Sequence, residues 1–176
     1  MKNTILILLL FMGINTTIFS QKKYAVLIAI QPAQTEIGTI NTKHAQCWIE
    51  TFLMWEKLQK QGYAPQNIHV LFNKGTDYQS PSIADRYKPD IGIIISDAAA
   101  TKANIINLFE SLKNDLSNKA KPSKTDTLFI WSYEKFNANN NYSIPLLNGN
   151  INMKEFSKFT NALPAYKILN VNNKHH

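Results

Sequence analysis

Tyr24-Ala-Val-Leu-Ile-Ala-Ile30 is a seven-residue run with no polar alternate. A strand with one wet face alternates apolar and polar residues. A strand without that alternation has to be covered on both faces, which is the situation of a parallel sheet sandwiched by helices. A parallel pair needs a crossover connection, so helical periods must lie between the strands. They do. Thr42 reads as an N-cap, and Ala45, Trp48, Ile49, Phe52, Leu53 and Leu58 follow near one helical face until Gly62 and Pro65 stop it. Asn67 to Phe72 reads as the second strand, followed by a long loop, Asn73 to Pro89, that holds Gly75 and Pro81.

The same reading continues along the chain. Ile91 to Ile95 is a short extended piece. Thr101 opens a helix whose apolar face is Ile105, Leu108, Phe109 and Leu112. Lys119 to Lys124 is a polar linker. Asp126 to Trp131 is the third strand, Asn137 to Asn141 an asparagine-rich loop, and Ser143 to Ile151 a hairpin around Asn148-Gly149. Met153 to Leu163 is a short helix with Phe156, Phe159 and Leu163, and Ile168 to Val171 is the fourth strand. The expected fold is α/β, a parallel four-strand sheet between helices, with right-handed crossovers. Ligands of such sheets bind beyond the carboxyl ends of the strands, here after Ile30, Phe72, Trp131 and Val171.

The first twenty residues read as a processing signal rather than structure. Lys2 is the charged start, Ile5 to Met12 an apolar stretch too short to span a bilayer, and Ser20 a small residue suited to cleavage. The expected division is residues 1–20 as signal peptide and 21–176 as one domain of about 155 residues. The expected location is outside the cytoplasm, periplasmic or extracellular, without membrane attachment after cleavage.

Charge and composition exclude several functions. The chain carries +7 formally, and its lysines are scattered rather than striped with arginine and aromatics, which points away from nucleic acid. No GxGxxG or GxxxxGK[ST] pattern follows a strand, so no nucleotide cofactor is expected. His44 and His69 have no ligand spacing, and His175-His176 form only a terminal pair, so no metal is expected. Cys47 is the only cysteine; its place in a helical pattern beside Trp48 reads as a small core residue. No GxSxG elbow occurs. Ser132 follows the third strand near Lys135, a conceivable serine/lysine dyad, but both read more simply as loop residues.

Set in order, these segments resemble the caspase/legumain superfamily of cysteine peptidases, nearest its legumain-like branch. Lys23 to Ile28 resembles the opening strand. His44-Ala45 with Trp48, Glu50-Thr51 and Leu53-Met54 resembles the first helix, and Gly62-Tyr63, Pro65, Asn67-Ile68, Val70-Leu71 and Gly75 resemble the helix exit and second strand. Ala100 to Asn104 with Leu108 resembles the second helix, Asp126 with Leu128 to Trp131 the third strand, and Asn148-Gly149 with Phe156 the hairpin and next helix. The match runs from about residue 22 to 173.

The resemblance implies a catalytic His-Gly pair after the third strand and a cysteine after the fourth. Matched by position, the acidic residue before that histidine falls on Glu134, the histidine on Lys135, the glycine on Phe136, and the cysteine at about Lys174. Lys43 and His44 fall where a remnant substrate pocket is expected. The resemblance therefore implies a truncated caspase/legumain-like core, kept as scaffold after loss of its chemistry: a secreted pseudopeptidase that binds or regulates. A truncated but genuine cysteine endopeptidase is the alternative. Partners are expected to be a protein or peptide, or a second copy joined through the open edge Ile168 to Val171.

Overall fold

The computed structural model describes residues 22–30, 40–80, 83–117, 126–133, 136–138 and 141–171. The signal segment, the 31–39 loop and the 118–125 linker lie outside the described residues, as do residues 81–82, 134–135, 139–140 and 172–176.

Strand β1 (Lys23–Ala29) crosses through helix α1 (Ile40–Lys60) to β2 (Ile68–Phe72). Helix α2 (Lys102–Ser117) leads to β3 (Thr127–Ser132). Three short strands follow, β4 (Phe136–Ala138), β5 (Asn141–Leu146) and β6 (Gly149–Asn152), then helix α3 (Met153–Asn161) and β7 (Tyr166–Val171). The larger sheet runs β2–β1–β3–β7, each neighbouring pair parallel. The α/β class expected from the sequence holds. A second, antiparallel sheet, β4–β5–β6, stands beside it.

The unbroken apolar run of β1 supplies both cores. Tyr24, Val26 and Ile28 face one way, onto Ile105, Phe109, Leu112 and Leu116 of α2 and Phe156 of α3. Ala25, Leu27 and Ala29 face the other, onto Cys47, Trp48, Phe52 and Leu58 of α1. Each large side chain so buried contributes roughly 1.5–3 kcal/mol. Phe109 and Phe156 meet edge to face, with centroids 5.5 Å apart, which locks α2 to α3. Trp48 does the same with Phe72 at 5.0 Å, and its indole N–H donates to the carbonyl of Tyr87 at 2.9 Å.

Four details differ from the sequence reading. Helix α1 begins at Ile40, so Thr42 lies inside it rather than capping it. Leu53, placed on the apolar face by its spacing, is among the exposed hydrophobics. The asparagine-rich stretch is not all loop, because Phe136 to Ala138 pairs with Asn141 to Ser143 and main-chain bonding there overrides a turn-like composition. The hairpin turns one residue early. Leu146 pairs with Gly149, so Leu147 and Asn148 make the turn, and only Gly149 of the Asn-Gly pair has positive φ, +112°.

The outer edge of β2 is covered by the chain that leads into α2. Phe72 N–H donates to Ala98 O at 3.1 Å, and Asp97 N–H donates to Val70 O at 2.9 Å. The Asp97 carboxylate accepts from Val70 N–H at 2.7 Å, standing in for a strand carbonyl. At the opposite edge, β7 pairs with β3 on one side, and no strand among the described residues pairs on the other.

Candidate functional site

The carboxyl ends of the parallel strands are where this architecture places ligands. Strand β3 ends on Ser132, whose register partner in β7 is Val171. The strands β3 and β7 are therefore adjacent and end level with each other. Glu134, Lys135 and Lys174 lie outside the described residues. Phe136 is the first residue of β4, opposite Ser143. Lys43 and His44 sit in the first two turns of α1.

Ser132 and Tyr133 are both buried, and Tyr133 N–H donates to Ile28 O at 3.0 Å. A serine sealed this way is not an exposed nucleophile, and Lys135, the other member of the conceivable dyad, lies outside the described residues. Cys47 is 0% exposed, and its Sγ lies 3.2 Å from the carbonyl oxygen of Ile30. Its thiol closes the end of β1 against α1. A reactive thiol needs access and an electropositive surrounding; Cys47 is closed to solvent. Among the described residues no group of three His, Cys, Asp or Glu side chains could hold a metal ion. No helix among them is long and apolar enough to cross a membrane.

A cleft opens elsewhere, beyond the carboxyl end of β2. Its volume is about 1040 Å³. Phe72 and Asn73 form its inner end, Thr76, Tyr78, Gln79 and Ser80 one wall, and Pro89 to Ile94 the other. Asn73 carries the left-handed φ of +40° that lets the chain leave β2 sharply, and its N–H donates to Ala29 O at 2.9 Å. Gly75 turns with φ +90° and approaches Ala99 so closely that an added Cβ would lie 2.7 Å from the Ala99 nitrogen. Asp77 then grips the opposite wall: one carboxylate oxygen accepts from Ile95 N–H at 3.0 Å and the other from Ser96 N–H at 2.8 Å.

Sequence reasoning singled out the strand end but missed the cleft residues. The signal lay in the long loop Asn73 to Pro89 and the β-branched run just after it. What the sequence does not state is that Asp77 holds that run out of the sheet.

No protein-family model matches the chain, and no curated protein is found to be similar to it. Among solved structures it resembles the crystal structure of protein GSU0716 from Geobacter sulfurreducens, with a TM-score of 0.51 at 12% identity. The likeness covers 88% of this chain and 51% of that one, so the chain spans about half the length of this neighbour. At that identity the likeness shows a shared fold.

Proposed function

We propose that this chain is an exported pseudopeptidase, a non-catalytic relative of the caspase/legumain-like cysteine peptidases that works as a binding or regulatory domain. The observation that supports this most is the state of its single thiol. Cys47 is fully buried in the core, with Sγ against a main-chain carbonyl. Lys135 and Phe136 stand where the resemblance calls for histidine and glycine. A thiol mechanism needs an accessible thiolate and a base, and neither is present in those positions.

The reading includes the truncated caspase/legumain-like core and cleavage of residues 1–20. The partner is a protein or peptide. A second copy paired along the outer edge of β7 is the homodimeric form of the same idea. The second reading is a truncated form of a true cysteine endopeptidase of the same family. Lys135, well inside the chain, weighs against it.

The test is an activity-based probe for cysteine peptidases applied to the purified protein. No labelling is expected under native conditions. Labelling together with peptide hydrolysis, both abolished by Cys47→Ala, would overturn the proposal. Hydrolysis that survives Cys47→Ala would overturn the non-catalytic reading without implicating the thiol.

A further inference from the structure

We infer that the cleft beyond β2 is a peptide-binding site, for an extended segment carrying apolar side chains flanked by basic residues. The inference deepens the proposed binding role and rests on it.

The first observation is where the exposed apolar surface lies. Ile91 is 105% exposed, Ile94 78% and Ile93 46%, against 37% for Leu53 and 36% for Leu147, the other exposed large hydrophobics of the described residues. Three isoleucines within four residues form one wall of one cleft. Scattered exposed apolar residues are ordinary; a contiguous set beside a concavity marks a contact surface.

The wall is also held in place. Main-chain N–H groups of Ile95 and Ser96 are fixed by Asp77, and Ile93 N–H donates to Asp90 O at 2.9 Å. Gly75 locks the base of the opposite wall against Ala99. A surface fixed before binding loses less entropy when its ligand arrives.

Size and shape narrow the ligand class. About 1040 Å³ is at the upper end of small-molecule pockets, and the cleft is partly open to solvent. That suits a few residues of extended chain better than an engulfed small molecule. The same lining holds Thr76, Tyr78 and Gln79, side chains that can hydrogen-bond a peptide main chain.

Charge complementarity sets the flanks. The lining holds Asp77, Asp90 and Lys88. Lys88 is paired with Asp85 at 2.7 Å, and both Asp77 oxygens accept from main-chain N–H groups. Asp90 is exposed at the rim beside Ile91. The exposed Asp90 carboxylate beside the isoleucines attracts lysine or arginine and repels acidic segments. The cleft is also separate from the end of β3, where the resemblance places catalysis. In the order β2–β1–β3 those strands lie two spacings apart, roughly 10 Å.

The experiment is fluorescence anisotropy on the purified protein with three dye-labelled peptides. One reads lysine–valine–leucine–isoleucine–valine–lysine. The second replaces its lysines by glutamate, and the third replaces its apolar residues by serine. Saturable binding of the first is expected, weaker binding of the other two, and a roughly tenfold loss with Ile94→Ser. Asp90→Lys is expected to reverse the preference between the lysine and glutamate peptides, an effect that general stickiness cannot produce. Both positions are exposed, and circular dichroism checks that the variants stay folded. Equal binding of all three peptides, no saturable binding, or binding indifferent to both substitutions overturns the inference. Thiol-probe labelling is a separate readout: a protein that hydrolyses peptides yet binds the lysine peptide in this cleft fails only the non-catalytic reading.

Discussion

Asp77 receives the main-chain N–H groups of both Ile95 and Ser96, one on each carboxylate oxygen, at 3.0 and 2.8 Å. The two donors are the last residue of a run, Ile93-Ile94-Ile95, whose composition favours a strand, and the residue after it. The carboxylate takes hydrogen bonds that a neighbouring strand would otherwise supply, and the run joins no strand. Asp77→Asn should loosen this wall. An amide presents one acceptor and one donor, so one of the two N–H groups meets another N–H. A hydrogen bond to a charged group contributes about 1.5–3 kcal/mol; the expected loss is roughly 2 kcal/mol in urea denaturation. Amide exchange at Ile95 and Ser96 should accelerate, while Val26 and Ile130 in the sheet centre stay protected.

Gly75→Ala should be more damaging than its size suggests. The residue has φ +90°, a region that side chains avoid, and the new methyl carbon would lie 2.7 Å from Ala99 N and 3.0 Å from the Ala98 carbonyl carbon. Both obstacles are main chain and cannot rotate away. A loss of about 1–3 kcal/mol is expected from the backbone conformation alone, read as a lower denaturation midpoint. Gly92→Ala is the control. It shares the positive φ, +85°, but meets nothing within 4 Å, so it should cost less.

The parts of the fold that could be read from the sequence are those fixed by side-chain burial. Tyr24 to Ile30 announced a doubly covered strand, and Ile105, Phe109 and Leu112 announced one face of a helix, because burial follows a period visible in one dimension. Thr101 was equally legible: its hydroxyl oxygen accepts from Asn104 N–H at 3.2 Å, as an N-cap should. What failed depended on main-chain partners, which leave no side-chain period in the sequence. Phe136 to Ala138 became a strand by pairing with the segment after it, and Ile93 to Ile95 stayed out of the sheet because Asp77, eighteen and nineteen residues earlier, captured the donors of Ile95 and Ser96. The cleft belongs to this second kind. Its place beyond β2 followed from topology, but no local pattern ties Asp77 to Ser96.

Cys47 should behave as core. Cys47→Ala removes a buried sulfur in contact with Ile30 O and is expected to cost about 1 kcal/mol. A bulky maleimide should modify the native thiol slowly and the denatured thiol fast. Rapid native labelling at neutral pH would show an accessible thiolate and contradict the packing between α1 and β1.

His69 should make the protein less stable on the acid side. Burial lowers its pKa below the ordinary 6.5, and the nearby carboxylates of Asp97 and Asp115 offset this only in part. A lowered value means the unfolded chain binds the proton first as pH falls. Between the unfolded value and the lower folded value the unfolded state holds more protons, so stability rises with pH across that window. Well above 6.5 both states are neutral at this position and the contribution vanishes. Below the folded value both are protonated and the penalty is complete. His69→Gln removes the titration. Its denaturation midpoint, measured against that of the parent protein from neutral to mildly acidic pH, should fall less steeply as the pH drops. Parallel curves for the two proteins would show that the imidazole is not the group responsible, and that the carboxylates of Asp97 and Asp115 compensate fully for its burial.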